Sequence, residues 1–104
     1  MKITMSEQIL RGNFGGDTDA EQSAAADKYA ALLEERLTEF CQSAYPEAEL
    51  TFDLDIENAS GYARGFDVWV DDIDHDDEYD IIQAIKNEFD YIMYRMEKSG
   101  EIYE

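Results

Sequence analysis

Residues 50–80 read LTFDLDIENASGYARGFDVWVDDIDHDDEYD, and this stretch decides the predicted fold. Apolar and polar residues alternate in 50–57 and again in 66–71, a pattern typical of strands with two unlike faces. The turn-forming residues 58–61, NASG, lie between the two runs. The stretch therefore predicts an antiparallel hairpin with one apolar face and one polar face. The residues assigned to the polar face are Asp53, Asp55, Glu57, Asp67, Trp69 and Asp71.

The pairing of this hairpin is restricted, because residues that oppose each other must share a face. Two of the available registers set Asp67 opposite either Asp53 or Asp55. Like charges in direct opposition destabilise a sheet by up to about 1 kcal/mol. Folding alone does not favour such pairs, so we interpret the carboxylates as a binding surface for a cationic partner.

Two helices are predicted on either side of the hairpin. Thr18 and Glu21 have the spacing of a capping box, and apolar residues recur at intervals of three and four up to Pro46. The second helix has the same periodicity from Ile82 to Met96 and ends at Gly100. Residues 1–5 predict a short amino-terminal strand, and the glycine-containing residues 6–17 predict a turn-rich connection. The predicted fold is a single α+β domain, residues 1–104, with a small antiparallel sheet and both helices packed on one face.

Charge limits the classes of partner. The chain has 26 acidic and 8 basic residues, a formal net charge of −18. Such a protein repels nucleic acid and anionic membranes and attracts basic proteins, including proteins that themselves bind nucleic acid. We therefore expect a basic protein as partner, and neither direct nucleic-acid binding nor membrane binding. The alternative is that the acidity serves solubility or a high-salt habitat.

Enzymatic chemistry has little support in the sequence. Asp72, Asp74 and Asp76 have the spacing that opens a calcium loop, but Asp77 and Gln83 stand where the loop needs glycine and a bidentate glutamate. A weak divalent-ion site stays open as an alternative. His75 and Cys41 are single residues of their type, with no paired nucleophile or base. We expect no enzyme, no metal site and no cofactor.

Trp69 is the single tryptophan, and its parity places it among the carboxylates. If it is exposed there, it is a natural contact for arginine side chains. Part of the acidic run, Asp76 and Asp77, also has a structural explanation, because the dipole at a helix start favours negative charge. Residues 1–8, MKITMSEQ, lack the charged start and apolar run typical of a signal peptide, and no apolar run approaches roughly 20 residues. We therefore expect a cytoplasmic protein, in the host cell if a phage encodes it.

The spacing of the acids is the basis of a resemblance. Carboxylates at alternate strand positions recur about every 6.6 Å, and those at helical spacing about every 5 to 6 Å, a scale comparable to successive phosphates of a nucleic-acid strand. In size, charge and this acidic row, the chain resembles the small DNA-mimic inhibitors of phages and mobile elements, including anti-CRISPR proteins. The resemblance rests on no sequence motif.

The resemblance implies a non-enzymatic viral inhibitor. It would block a basic DNA- or RNA-binding surface of a CRISPR effector or another DNA-binding protein. One alternative is an immunity or antitoxin-like inhibitor of a cationic nuclease, and another is an acidic ion-binding or halophilic module. The residues expected to bind the partner are Asp53, Asp55, Glu57, Asp67, Trp69, Asp71, Asp72, Asp74, Asp76 and Asp77.

Overall fold

The computed structural model of the protein describes residues 1–103. Three strands and two helices make up the α+β fold that the sequence predicts: β1 (Lys2–Leu10), α1 (Asp19–Ala44), β2 (Glu49–Glu57), β3 (Asp67–Asp71) and α2 (His75–Ser99). Short 3-10 helices at Arg11–Asn13 and Glu101–Tyr103 follow β1 and α2.

The strands form one mixed sheet in the order β2-β1-β3. Strand β1 pairs in parallel with β2, which the chain reaches through helix α1, and pairs antiparallel with β3. The predicted hairpin is therefore wrong in its pairing, because β1 lies between its two strands. The sheet is mixed and not purely antiparallel, and residues 58–66 connect its two edge strands.

Strand β1 is longer than predicted and central. The alternation that begins with Ile3 and Met5 continues to Ile9, and all three side chains are buried. Glu7 occupies the apolar side of this pattern and interrupts it, so residues 6–10 resemble a polar connection in the sequence. Pairing on both sides satisfies the backbone of β1, which makes it the centre of the sheet and not a short extra strand.

The connection between β2 and β3 is fixed across the end of β1. The Gly12 amide donates to the Ala59 carbonyl at 2.8 Å. The Asn13 side chain donates to the Gly61 carbonyl at 2.8 Å and accepts from the Gly61 amide at 2.9 Å. A Cβ atom at position 12 would lie 2.5 Å from the Ser60 Cβ atom, so glycine is required by this close approach. These contacts replace the predicted hairpin turn.

Both helices pack against one face of the sheet, here called the inner face. Buried side chains of both helices form one apolar cluster with Ile3, Met5, Val68 and Val70. Those four strand residues share a face, because Ile3 pairs with Val70 and Met5 with Val68. The helix residues of this cluster are Ala26, Tyr29, Leu33, Leu37, Cys41, Ile81, Ile85, Ile92 and Met96.

The predicted start of the first helix and the predicted end of the second are confirmed by their caps. Helix α1 begins after Thr18, whose side-chain oxygen accepts from the Glu21 amide at 3.2 Å. The Glu21 carboxylate accepts from the amide of Asp17, one residue earlier than a standard capping box requires. Helix α2 is capped at its carboxyl end by Gly100, which has a φ of 67° in the left-handed region. The Gly100 amide donates a hydrogen bond to the Met96 carbonyl, as is typical of such a cap.

Candidate partner-binding face

The side of the sheet away from the helices, here called the outer face, carries the predicted strand carboxylates. Its central row comes from β1, and the two edge rows come from β2 and β3. Adjacent strands lie about 4.8 Å apart, so the edge rows are separated by roughly 10 Å. The outer face comprises Lys2, Thr4, Ser6 and Gln8 on β1, Glu49, Thr51, Asp53, Asp55 and Glu57 on β2, and Asp67, Trp69 and Asp71 on β3.

Six of the ten predicted partner-binding residues lie together on this face. Asp53, Asp55 and Asp71 are exposed, whereas Glu57 and Asp67 are half-buried. The Glu57 carboxylate accepts a hydrogen bond from Gln8 Nε2 at 2.7 Å. Parity along the strands places these residues as the alternating sequence predicts, even though their strand pairing differs.

Trp69 is 47% exposed in the middle of the β3 row. Its register partner on β1 is Thr4, which in turn pairs with Thr51 on β2. The indole therefore lies beside a strip of two threonines, with Asp67 and Asp71 two residues away on the same face. This arrangement combines an accessible aromatic surface with flanking negative charge.

The predicted opposition of like charges does not occur. Ser6 of β1 pairs with Asp53 on one side and with Asp67 on the other, so a strand separates the two carboxylates. The guanidinium of Arg64 donates to the Ser6 hydroxyl at 3.0 Å and therefore lies over this central position. At the other end of β1, Lys2 lies between Glu49 of β2 and Asp71 of β3. The predicted direct repulsion between carboxylates on paired strands is therefore wrong.

Arg64 is an outer-face residue whose position the sequence did not predict. Its backbone extends the pairing of β1, because its carbonyl accepts from the Gln8 amide at 3.2 Å and its amide donates to the Gln8 side chain at 2.9 Å. A hairpin model places residue 64 in or beside a turn, so its position over β1 was not predictable. Its lone positive charge within an acidic stretch was the available signal.

The other four predicted site residues lie beyond the end of β3. Asp72 is exposed and has a φ of 58°, which turns the chain from the strand toward α2. Asp74 is the N-cap of α2, and Asp76 and Asp77 lie in its exposed first turn. Their charges suit the positive end of the helix dipole. They continue the acidic row of β3 but lie outside the sheet.

Nucleophile and ligand chemistry is sparse in the described part of the chain. His75 is exposed, and its Nδ1 lies 3.2 Å from a Glu78 carboxylate oxygen. Cys41 is fully buried, and burial raises the pKa of its thiol to about 11, which keeps it protonated at neutral pH. Within residues 1–103, no group of three or more His, Cys, Asp or Glu side chains is arranged to hold a metal ion.

Comparisons with protein-family models, with curated proteins and with solved structures find no match to this chain. Within the described residues, no helix has both the length and the apolar character needed to cross a bilayer.

Proposed function

We propose that the protein is a non-enzymatic acidic inhibitor that imitates nucleic acid. Its outer face would occupy the basic DNA- or RNA-binding surface of a CRISPR effector or a related DNA-binding protein, as anti-CRISPR proteins do. The proposed site of action is the cytoplasm, which is that of the host cell if a phage encodes the protein. The observation that carries the proposal is the open, helix-free sheet face with two acidic edge rows.

Geometry supports a phosphate-like pattern. Asp53, Asp55 and Glu57 occupy alternate positions of β2 and therefore recur about every 6.6 Å. The second row continues from Asp67 and Asp71 into the turn before α2, roughly 10 Å away across β1. A sheet holds such rows rigidly, so binding orders little additional backbone. The two acidic rows lie on either side of a central strip that carries Lys2 and, over Ser6, Arg64, and they imitate charge arranged along two chains.

The exposed indole supports a protein partner in particular. Tryptophan is enriched among the residues that dominate binding energy at protein interfaces, and arginine side chains stack on its ring. Trp69 lies between two carboxylates, which would pair with the same guanidinium groups. The net charge of −18 adds long-range attraction to any strongly basic surface.

The proposal can be tested with a panel of purified RNA-guided effector complexes. Binding of each complex to a fluorescent target DNA is measured by anisotropy while the protein is added. We expect at least one complex to lose DNA binding near a one-to-one ratio, with inhibition that weakens as salt rises. If no effector responds while a purified toxin nuclease is inhibited, the immunity-protein alternative replaces this proposal.

A pair of matched triple variants tests the location of the site. Asp53→Asn, Asp55→Asn and Asp67→Asn together remove three charges from the outer face. Glu34→Gln, Glu35→Gln and Glu39→Gln remove three charges from exposed positions of α1. The first variant should inhibit at least about tenfold less well and the second nearly as well as the unchanged protein. Equal losses would show that total charge, and not this face, determines binding.

A further inference from the structure

A cavity of about 390 Å³ lies at the open end of the helix–sheet sandwich, where the end of β1 meets the end of α2. Small-molecule sites in proteins span roughly 300–1,000 Å³, so this volume suits a small ligand or one long side chain. The cavity is at the opposite end of β3 from the acidic turn of Asp72 and Asp74. Its walls are mainly apolar and include Ile9, Leu10, Phe14, Met93, Met96 and Ile102.

One carboxylate in this cavity is buried. Glu7 is 8% exposed and lies on the inner face between Met5 and Ile9, where an apolar residue would continue the pattern of β1. The Tyr29 hydroxyl donates to its Oε1 atom at 2.5 Å. An ionised carboxylate offers about four acceptor positions, so a single bond leaves most of its capacity for another donor. Glu7 and Tyr29 both line the cavity.

The electrostatics of this pair favour a cation. Burial raises the pKa of Glu7, and burial beside that carboxylate raises the pKa of Tyr29, which therefore stays a hydrogen-bond donor. A buried carboxylate is costly unless it is paired, and a positive charge against it would offset that cost. Glu97, an exposed acid, also borders the cavity and repels anions from its mouth.

We propose that this cavity binds a linear alkyl cation, an ammonium or guanidinium group on a short aliphatic chain. The charged end would pair with Glu7 inside the cavity, and the methylene chain would lie along Phe14, Met93 and Met96. Lysine and arginine side chains have this chemistry, since their stems are apolar and only their ends are charged. Free alkylamines share it. Gln8 borders both this cavity and the outer face, but the proposed site does not depend on the proposed inhibitory function.

The test is an NMR titration of the protein with ¹³C-labelled methionine methyl groups. The probes are n-butylammonium, n-butylguanidinium and neutral n-butanol at neutral pH and 150 mM salt. The two cations should shift the Met93 and Met96 signals saturably, while Met5, which is buried outside the cavity, should not respond. The affinity for butanol should be at least about tenfold weaker, because butanol leaves the carboxylate without a positive charge to pair with. Equal affinity for butanol would overturn the proposal.

Two variants with the same change in net charge separate this site from general attraction. Glu7→Gln keeps an oxygen that accepts from Tyr29 but removes the charge, and it should lower cation affinity about tenfold. Asp53→Asn removes one charge from the outer face and should leave cation affinity unchanged. Equal effects of the two variants would overturn the proposal.

A measurement on the unchanged protein keeps the proposal testable if Glu7→Gln does not fold. The pKa of Glu7 is followed through its side-chain carboxyl ¹³C signal, with and without saturating n-butylammonium. Pairing should lower this pKa, and an unaltered pKa would overturn the proposal. Blocked lysine, acetylated and amidated, identifies the source of the cation. Tighter binding than the free amine supports a protein side chain, and weaker binding supports a small molecule.

Discussion

The two faces of the sheet accommodate carboxylates in opposite ways. Among the described residues, the outer face carries six acidic residues in two rows, Glu49, Asp53, Asp55, Glu57, Asp67 and Asp71, and most are exposed to water. The inner face carries one, Glu7, enclosed by apolar side chains and bonded to Tyr29. The difference shows that the number of charges at a surface says little about their cost. A solvated row costs little, whereas a single enclosed carboxylate is costly unless it is paired.

The largest expected effect contrasts the two faces directly. Leu33→Ala removes a fully buried side chain from the helix that packs on the inner face, and should lower the free energy of unfolding by about 2–5 kcal/mol. Asp53→Ala on the outer face should change it by less than about 0.5 kcal/mol. Urea unfolding followed by circular dichroism measures both values. A loss above 1 kcal/mol for Asp53→Ala would mean that the outer face contributes to folding, against the comparison drawn here.

The sequence alone predicted which strand residues share a face, but not how the strands pair. Alternation in β2 and β3 placed the acids and Trp69 on one face correctly, because side-chain direction depends only on strand parity. Pairing depends on which strand intervenes, and no local pattern in residues 50–71 reveals that β1 does so. The length and central position of β1 were not predicted, because Glu7 replaces an apolar residue in its pattern. The position at which the pattern fails is also the position that lines the cavity.

Arg64 was unpredictable for the same reason. Once a hairpin is assumed, residue 64 belongs to its turn region, and the register then opposes Asp53 or Asp55 with Asp67. With β1 inserted, the same carboxylates are separated by Ser6, and the guanidinium bonded to Ser6 lies between their strands. The opposition of like charges no longer supports a charged binding face, which is supported instead by the two acidic rows and the net charge of −18.

An intermediate effect concerns the pH dependence of stability. The pKa of Glu7 is raised above its ordinary value of 4.5, so the folded protein holds this proton more tightly than the unfolded chain. The contribution of Glu7 to folding stability is fully present below pH 4.5 and is lost as pH rises through the raised pKa. The loss is about 1.4 kcal/mol for each tenfold difference in proton affinity between the folded and unfolded states. Glu7→Gln should therefore gain stability relative to the unchanged protein between pH 5 and pH 8.

The measurement is the difference in urea midpoint between the two proteins across that pH range. Taking the difference removes the contribution of the other carboxylates, which titrate in both proteins. Glu97→Gln, at the exposed rim of the same cavity, is the matched control for the loss of one carboxylate. A difference for Glu7→Gln that does not vary with pH would mean that burial does not perturb Glu7.

The smallest expected effect concerns the electrostatic field around Trp69, and it involves no change in folding stability. Because this is the single tryptophan, its fluorescence reports on the outer face alone. The flanking carboxylates should concentrate cations, so caesium should quench it about threefold more effectively than iodide at about 0.1 M salt, each scaled to N-acetyltryptophanamide. The preference for caesium should fade near 0.5 M salt, where screening is strong.

Two pairs of variants locate the source of this preference. Asp67→Asn with Asp71→Asn should reduce the preference for caesium. Glu34→Gln with Glu35→Gln on α1 should not, since a local electrostatic field falls off over about 10 Å. If both pairs reduced it alike, the negative field would belong to the whole protein and not to this face.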